Sequence, residues 1–489
     1  MGRPRQVLGG GKPIGLSFRN AVSRKRQEAR GRIMNSPGHD PHRTIKMFFL
    51  SSAVWFLVGT TEGFIDATHM AAPDLLGSIG WLSFGRMRPI HTNTVIFGFV
   101  GTALLGISHY IAPVLLKTPL YSSAMARISL WVWNLSVLVG TITLALGFSQ
   151  GREYAEWIWP VDIGILTTLF LSTLNLLGTI YQRNERILYV SIWYSLGGAI
   201  FIFFIYFFGN AVWNPLSGAI EGGIADGVLA WFYGHGLVGF FLTPLAVGAA
   251  YYIIPIVARS PLYSHTLSIV GFWSILMFYN QIGAHHILQA PTPTWLKVIA
   301  VTGSVAMLVP VLTALTNLFL TMRGRIGTIH SDIGGKFVFA GLVWYFFVCI
   351  QGPFQSLPIV QRVTHFNNWV IAHSHIAVLG FSGFIALGGI YFILPRIMGR
   401  DLHNTKLADL QYWMVLIGLT GFFIVLTGLG LIQGNSWLNG ETEYRLLPQI
   451  HMYFVIRAGF GLFIVSGAAI GLYNIFLSIW EPRLKGAAK

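Results

Sequence analysis

A single cysteine, Cys349, occurs in 489 residues. That excludes an internal disulfide, and it excludes a thiolate metal cluster or a c-type haem attachment built from this chain alone. Charge is also scarce: Asp, Glu, Lys and Arg make up 10% of the chain, against about 25% in soluble domains. Acids are the rarer sign, 17 against 32 Lys and Arg, so the formal charge is +15. In a soluble protein that excess would point to nucleic acid. In a chain this apolar it reads as a membrane-topology signal, with no nucleic-acid partner. No cleavable leader is expected, because no apolar run precedes Met47. The first 46 residues are basic and Gly-rich, which predicts a partly disordered cytoplasmic tail.

Hydrophobic residues are abundant, at 54%, and 16 Trp, 18 Tyr and 36 Phe suit interfacial belts and large packing surfaces. A helix needs about 20 apolar residues to cross a bilayer. Twelve such runs are present: 47–70, 90–115, 125–148, 157–181, 187–210, 226–257, 265–289, 296–322, 336–357, 368–395, 409–433 and 450–480. The fold class this predicts is an all-α integral membrane bundle of twelve transmembrane helices. It forms one domain, 47–480, between the tail 1–46 and a short C-terminus, 481–489.

The basic residues assign the sides. The tail holds eleven Lys and Arg between Arg3 and Lys46. The even-numbered loops add Lys117, Arg127, Arg183, Arg186, Arg259, Arg323, Arg325, Arg396, Arg400 and Lys406, and the C-terminal end adds Arg483 and Lys485. The opposite loops hold Arg86, Arg88, Arg152, Arg362 and Arg445. Both termini are therefore expected in the cytoplasm, with the chain in a bacterial inner membrane.

Histidines carry the chemical signal. His373 and His375 lie two residues apart in the apolar stretch 369–380. An α-helix turns roughly 100° per residue, so these rings point about 200° apart. One metal cannot easily take both, whereas two cofactors flanking the helix can. His91, His235, His285 and His286 lie in similar apolar segments, and the predicted topology puts all six in the outer half of the membrane. Imidazoles in hydrocarbon need partners. Neutral imidazole suits copper, zinc and iron, and histidine commonly holds haem iron. The other nine histidines read as surface or interfacial residues: His39, His42, His265, His330 and His403 inside, His69, His365 and His451 near the outer edge, and His109 towards the inner end of its segment.

The stretches 86–93 (RMRPIHTN), 231–243 (WFYGHGLVGFFLT) and 279–286 (YNQIGAHH), with the pair His373 and His375, resemble subunit I of the cbb-type (C-family) haem–copper cytochrome c oxidases. The resemblance spans about 47–480. It implies a terminal oxidase that reduces O2 to water and translocates protons. His91 and His375 would hold a low-spin haem b. His373 would hold a high-spin haem b, and His235, His285 and His286 one copper ion. Tyr279, seven residues before His286 and so on its face of an α-helix, would be the active-site tyrosine that relatives cross-link to the segment-six histidine, here His235. Other oxidases carry that tyrosine four residues after the first copper histidine, where this chain has Gly239.

The same resemblance places Ser268, Thr243 and Tyr251 on a single proton path. Segment six carries no glutamate near His235, so the second proton channel of other oxidases is not expected. Arg86, Arg88 and Arg457 are candidate partners for haem propionates, since arginine suits carboxylates. Trp231 and Gln351 belong to the haem surroundings. Two positions depart from the family pattern: Gln351 stands where a glutamate is usual, and Gly236 where asparagine is expected. A neutral amide cannot push charge onto an imidazole as a carboxylate can, so a raised haem potential is expected. Membrane-anchored cytochrome c subunits on the outer side are the implied partners, fed by soluble cytochrome c or a quinol-oxidising complex, and the family carries a calcium site between subunits. The alternative is a nitric oxide reductase, which shares the six histidines, binds non-haem iron, and lacks the tyrosine. A transporter or electron-transfer scaffold would explain the twelve spans but not His235, His285 and His286.

Overall fold

A computed structural model describes residues 40, 42–214 and 223–487, with backbone alone for 444 and 482–487. The predicted tail up to residue 39 and the last two residues lie outside the described residues. The chain divides into two units, 1–44 and 45–489. The first is described only at residues 40 and 42–44.

Twelve helices are long and apolar enough to cross a membrane: α1 (Arg43–Ala71), α2 (Phe84–Leu116), α3 (Ser123–Leu146), α4 (Trp159–Tyr181), α5 (Val190–Gly209), α6 (Gly223–Ala258), α7 (His265–Ile287), α8 (Thr294–Thr321), α9 (Ile333–Ser356), α10 (Asn368–Met398), α11 (Thr405–Leu438) and α12 (Arg445–Glu481). Each covers one predicted run. The largest difference at a start is α2, which begins six residues early because its first turn runs through Arg86 and Arg88, where hydropathy is low but helix propensity is good. No named strand occurs among the described residues.

A threefold pattern underlies this order. The segments 109–122, 251–264 and 391–404 each run from the lower end of a helix through a turn into the next helix. Each carries a proline four residues in (Pro113, Pro255, Pro395) and then a left-handed residue that stops the helix: Lys117 at φ 50°, Arg259 at φ 51°, Gly399 at φ 65°. Each ends on a capping side chain, Ser122, Ser264 or Asn404, that accepts the next helix's N–H groups. An asparagine one helix later accepts that cap's own backbone N–H: Asn175 (2.9 Å), Asn317 (2.9 Å) and Asn474 (3.1 Å). The three arcs thus start at α2, α6 and α10, and the tight hairpins α3–α4, α7–α8 and α11–α12 follow.

These three starting helices are the buried ones. About nine-tenths of their apolar length is inside the protein (89%, 94% and 89%), against 39–56% for the other nine. They pack on one another, and each widens to a π-helix, at Thr94–Gly101, Leu237–Leu242 and Ile376–Gly383. A π-turn leaves carbonyls without their usual partners. Side chains supply them: Trp133 Nε1 donates to Phe97 O (2.9 Å) and Ser52 Oγ to Phe99 O (2.9 Å). Each π-stretch begins within three residues of a singled-out histidine, namely His91, His235 or His375.

Two of the nine histidines read as surface or interfacial residues are instead buried inside the protein. His69 is 9% exposed and bonds Leu82 O (2.6 Å), and His109 is 6% exposed and stacks on Phe48. Position along a helix did not reveal them, because burial depends on which neighbours cover that face.

Candidate functional site

The six singled-out histidines gather in the upper half of the bundle, the half away from the three repeated turns. They form two groups on either side of α10, as the 200° offset of His373 and His375 requires. On one side the rings of His91 and His375 lie nearly parallel, 22° apart, with centroids 6.1 Å apart. His91 Nδ1 donates to Gly59 O (2.7 Å) and His375 Nδ1 to Ile371 O (2.8 Å). Both rings are thereby held as the tautomer whose Nε2 is a free lone pair. Gly63 is required here, since a Cβ would meet His91 Cε1 at 2.6 Å. Two imidazoles sharing one metal at roughly 2 Å bond lengths keep their centroids roughly 6 Å apart. The pair therefore fits two imidazoles that would hold one haem iron between them.

On the other side, His235, His285 and His286 each offer a nitrogen within 4.8 Å of the others. His235 Nδ1 and His286 Nε2 are 3.0 Å apart. Nitrogens bonded to one metal at roughly 2 Å lie roughly 3.3 Å apart, so the spacing suits a shared ion. Ser304 donates its own proton to Ala300 O (2.7 Å) and accepts from His285 Nδ1 (2.6 Å), which leaves His285 Nε2 as a lone pair. Trp231 stacks on His286, with centroids 4.0 Å apart and planes 12° apart. His373 lies within electrostatic reach of His235 and His285, and its Nδ1 donates to Gln351 Oε1 (3.0 Å). A trigonal nitrogen set facing a further imidazole fits copper opposite a haem.

Tyr279 stacks on His235, with centroids 4.6 Å apart and planes 17° apart. The route to this contact differs from the expected one. Residues Tyr279–Ile287 wind as a 3₁₀-helix, not an α-helix. At three residues per turn, seven residues no longer return to the same face. Tyr279 and His286 meet His235 from different directions instead. A Cβ on Gly239 would fall inside the Tyr279 ring. The glycine one turn after His235 thus holds open the space that a tyrosine from the neighbouring helix fills.

Towards the lower end, Ser268 and Tyr251 come together through Asn317. Asn317 Nδ2 donates to Ser268 Oγ (2.9 Å) and lies 3.4 Å from Tyr251 Oη. Thr243 is buried on α6, and no hydrogen bond joins it to this cluster among the described residues. The three arginines separate. Arg86 donates to Ala145 O (2.8 Å), and Arg88 pairs with Glu153 with both side chains nearly half exposed. Arg457 is buried and lies within reach of His91, His375 and Asp66. Its guanidinium sits over Phe422, whose ring packs against His375 at a tilt of 38°.

Sequence reasoning missed several neighbours. Ser304 orients His285, and Asn317 joins two hydroxyls; the threefold Asn pattern could have located the latter. Glu62 and Asp66 are buried acids one turn apart on α1. Glu156, in the loop before α4, accepts from Asn93 Nδ2 (2.8 Å), two residues after His91. Burial pushes its carboxyl above the usual range.

A twelve-helix bundle whose buried helices aim imidazole nitrogens at shared points defines a membrane redox enzyme. Residues 43–463 match the family described as Cytochrome C and Quinol oxidase polypeptide I. The chain is 31% identical over 454 residues to the Cbb3-type cytochrome c oxidase subunit CcoN1 of Stutzerimonas stutzeri, covering 90% of this chain and 96% of that one. It is 30% identical over 449 residues to a bacteroid cytochrome c oxidase subunit 1 homolog of Bradyrhizobium diazoefficiens, covering 89% and 82%. A solved heme-copper terminal oxidase dimer shares the fold with a TM-score of 0.76 at 18% identity, over 90% of this chain and 84% of that one. The chain belongs to the cytochrome c and quinol oxidase polypeptide I family. Within that family it is a subunit I of the cbb type, an oxidoreductase of the haem–copper class.

Proposed function

We propose that this chain is the catalytic subunit of a terminal oxidase that reduces O2 to water with electrons from cytochrome c and moves protons across the membrane. His91 and His375 would hold a low-spin haem b, His373 a high-spin haem b, and His235, His285 and His286 one copper ion. When bound, these metals supply the electrons and the place where oxygen is reduced. The chain's own residues do the rest. Backbone carbonyls and Ser304 present lone pairs where ligands are needed. Tyr279 keeps a phenol proton beside His235. His235 Nε2 is buried without a hydrogen-bond partner, and His235 is the residue to which the tyrosine link of relatives would go.

Protons would reach Tyr279 from the lower end, through Ser268, Asn317, Tyr251 and Thr243. Gln351 accepts the His373 N–H without adding charge, so the high-spin haem should have a raised potential. Arg457 is the best placed of the three arginines for a propionate. The basic loops favour a cytoplasmic lower end, both termini included, in a bacterial inner membrane. Region 47–480 would be the catalytic domain, with 1–46 and 481–489 as cytoplasmic ends. Membrane-anchored cytochrome c subunits would dock at the upper end, near the family's calcium site, and soluble cytochrome c or a quinol-oxidising complex would feed them.

The contact of Tyr279 with His235, inside a three-nitrogen cage, carries this reading. Metal content and reduced-minus-oxidised spectra of the purified complex test it. Copper together with low-spin and carbon monoxide-binding haem b is expected. Extra iron in place of copper would indicate nitric oxide reduction, and a complex without carbon monoxide-binding haem would remove gas chemistry altogether.

A further inference from the structure

Glu62 and Asp66 take no part in the chemistry above, yet both are buried inside a span, at 7% and 4% exposed. An acid in a membrane helix calls for a physical reason. Their direction on α1 supplies a first clue. An α-helix turns roughly 100° per residue. Measured from Gly59, residue 62 therefore points about 60° to one side, residue 63 about 40° to the other, and residue 66 about 20° away. Gly59 and Gly63 are the positions against which the His91 ring rests, through Gly59 O (2.7 Å) and the space where a Gly63 Cβ would be. Both acids thus share the face of α1 that meets His91.

α12 covers this face. Gly461 packs beside Phe64, where a Cβ would lie 3.6 Å from Phe64 Cδ2. One turn earlier on α12, Arg457 reaches over α1, and its Nη1 donates to Met70 Sδ (2.6 Å). Met70 is one turn above Asp66 on the same face. The guanidinium also lies 5.4 Å from the centre of the Phe422 ring, which is itself 4.5 Å from that of His375.

The charges on this face do not cancel through contacts. A guanidinium keeps its proton, and a thioether is only a weak acceptor. Arg457 Nε, Asp66 Oδ1 and Glu62 Oε2 are all buried without a hydrogen-bond partner. Asp66 is the acid within electrostatic reach of Arg457. The other cation within reach of Asp66, Arg88, is already paired with Glu153. A buried cation without a counter-charge is costly, so Asp66 balances Arg457 across a gap. Around the cage, by contrast, the orienting groups are uncharged: Ser304, Gln351, Trp231 and Tyr279.

We propose that Asp66, with Glu62 one turn below it, screens Arg457 and so lowers the potential of the haem held by His91 and His375. An unscreened cation favours the reduced iron, and a nearby anion opposes it. With the anion present, an electron is passed on from this site instead of being held there. The transfer moves one electron, and no bond is made or broken. Asp66 acts through Arg457, as a positioning residue. The proposal rests on the oxidase reading above.

Redox titration of the intact complex, followed by the low-spin haem spectrum, tests it. Asp66→Asn should raise the low-spin potential by roughly a tenfold shift in the one-electron equilibrium, about 59 mV. Arg457→Gln should lower it, and Asp66→Glu should restore the wild-type value. A loosened fold would not produce opposite signs. An unchanged or lowered potential in Asp66→Asn, with its low-spin spectrum intact, overturns the proposal. Should Asp66→Asn fail to assemble, it is made together with Arg457→Gln. That double variant should titrate above Arg457→Gln alone, and equal potentials overturn the proposal. A wild type without low-spin haem overturns the oxidase reading, and the proposal with it.

Discussion

The two histidine groups on either side of α10 are held in different ways. In the pair, His91 and His375 each donate Nδ1–H to a backbone carbonyl, of Gly59 and Ile371. No substitution of one side chain removes those acceptors. In the cage, the orienting groups are side chains: Ser304 for His285, Gln351 for His373, and the Trp231 and Tyr279 rings against His286 and His235. Under the proposed function the pair would relay electrons, and such a site gains from ligands that do not move. A site where chemistry occurs needs groups that tune each imidazole separately, and side chains can be exchanged where carbonyls cannot.

The largest test removes one ligand from each group. His286→Ala should abolish copper binding and oxygen consumption while leaving the low-spin haem spectrum intact. His375→Ala should erase that low-spin signal. A His286→Ala complex that loses its low-spin spectrum would show that the two groups are not independent. Gly239→Ala should come next, because the added methyl falls inside the Tyr279 ring. Overpacking costs about 1–3 kcal/mol, so a lower melting temperature and loss of turnover are expected. Gly428→Ala on α11, where nothing lies near the new methyl, should instead gain about 0.5–1 kcal/mol.

Smaller effects should follow from the orienting side chains. Ser304→Ala should weaken copper binding about 10–100-fold and leave the His91–His375 spectrum unchanged. Gln351→Glu should lower the potential of the high-spin haem alone, by about 59 mV for each tenfold shift in the one-electron equilibrium. A redox titration that moved both haems would break the contrast. The smallest effect belongs to Glu156, outside the spans. Burial raises its carboxyl in the folded protein, so the fold holds that proton to higher pH than the unfolded chain does. Its stability is complete below the ordinary carboxylate range and declines as pH climbs through the raised value. Glu156→Gln can still accept from Asn93 and should flatten that decline in melting temperature against pH.

Much of this was legible in the chain. All twelve spans could be read because hydropathy is a local property, and the side-to-side split of His373 and His375 followed from helix geometry alone. The burial of His109 was not legible, because α1, α4, α5 and α6 cover it from far along the chain. Nor was the 3₁₀ winding from Tyr279 to Ile287, which moves the tyrosine off the face an α-helix would give it. Of Arg86, Arg88 and Arg457, only tertiary packing separated the last from the others, since Glu153 and Ala145 O hold the first two elsewhere.

By itself the sequence determined the membrane bundle and singled out six histidines at a common depth, because apolar length and residue type act locally. The folded structure alone decided which nitrogen of each imidazole is free, which ring meets which, and what orients them. Those depend on α2, α6 and α10 packing at one junction, and on carbonyls, a serine and a glycine that carry no signal until distant helices meet.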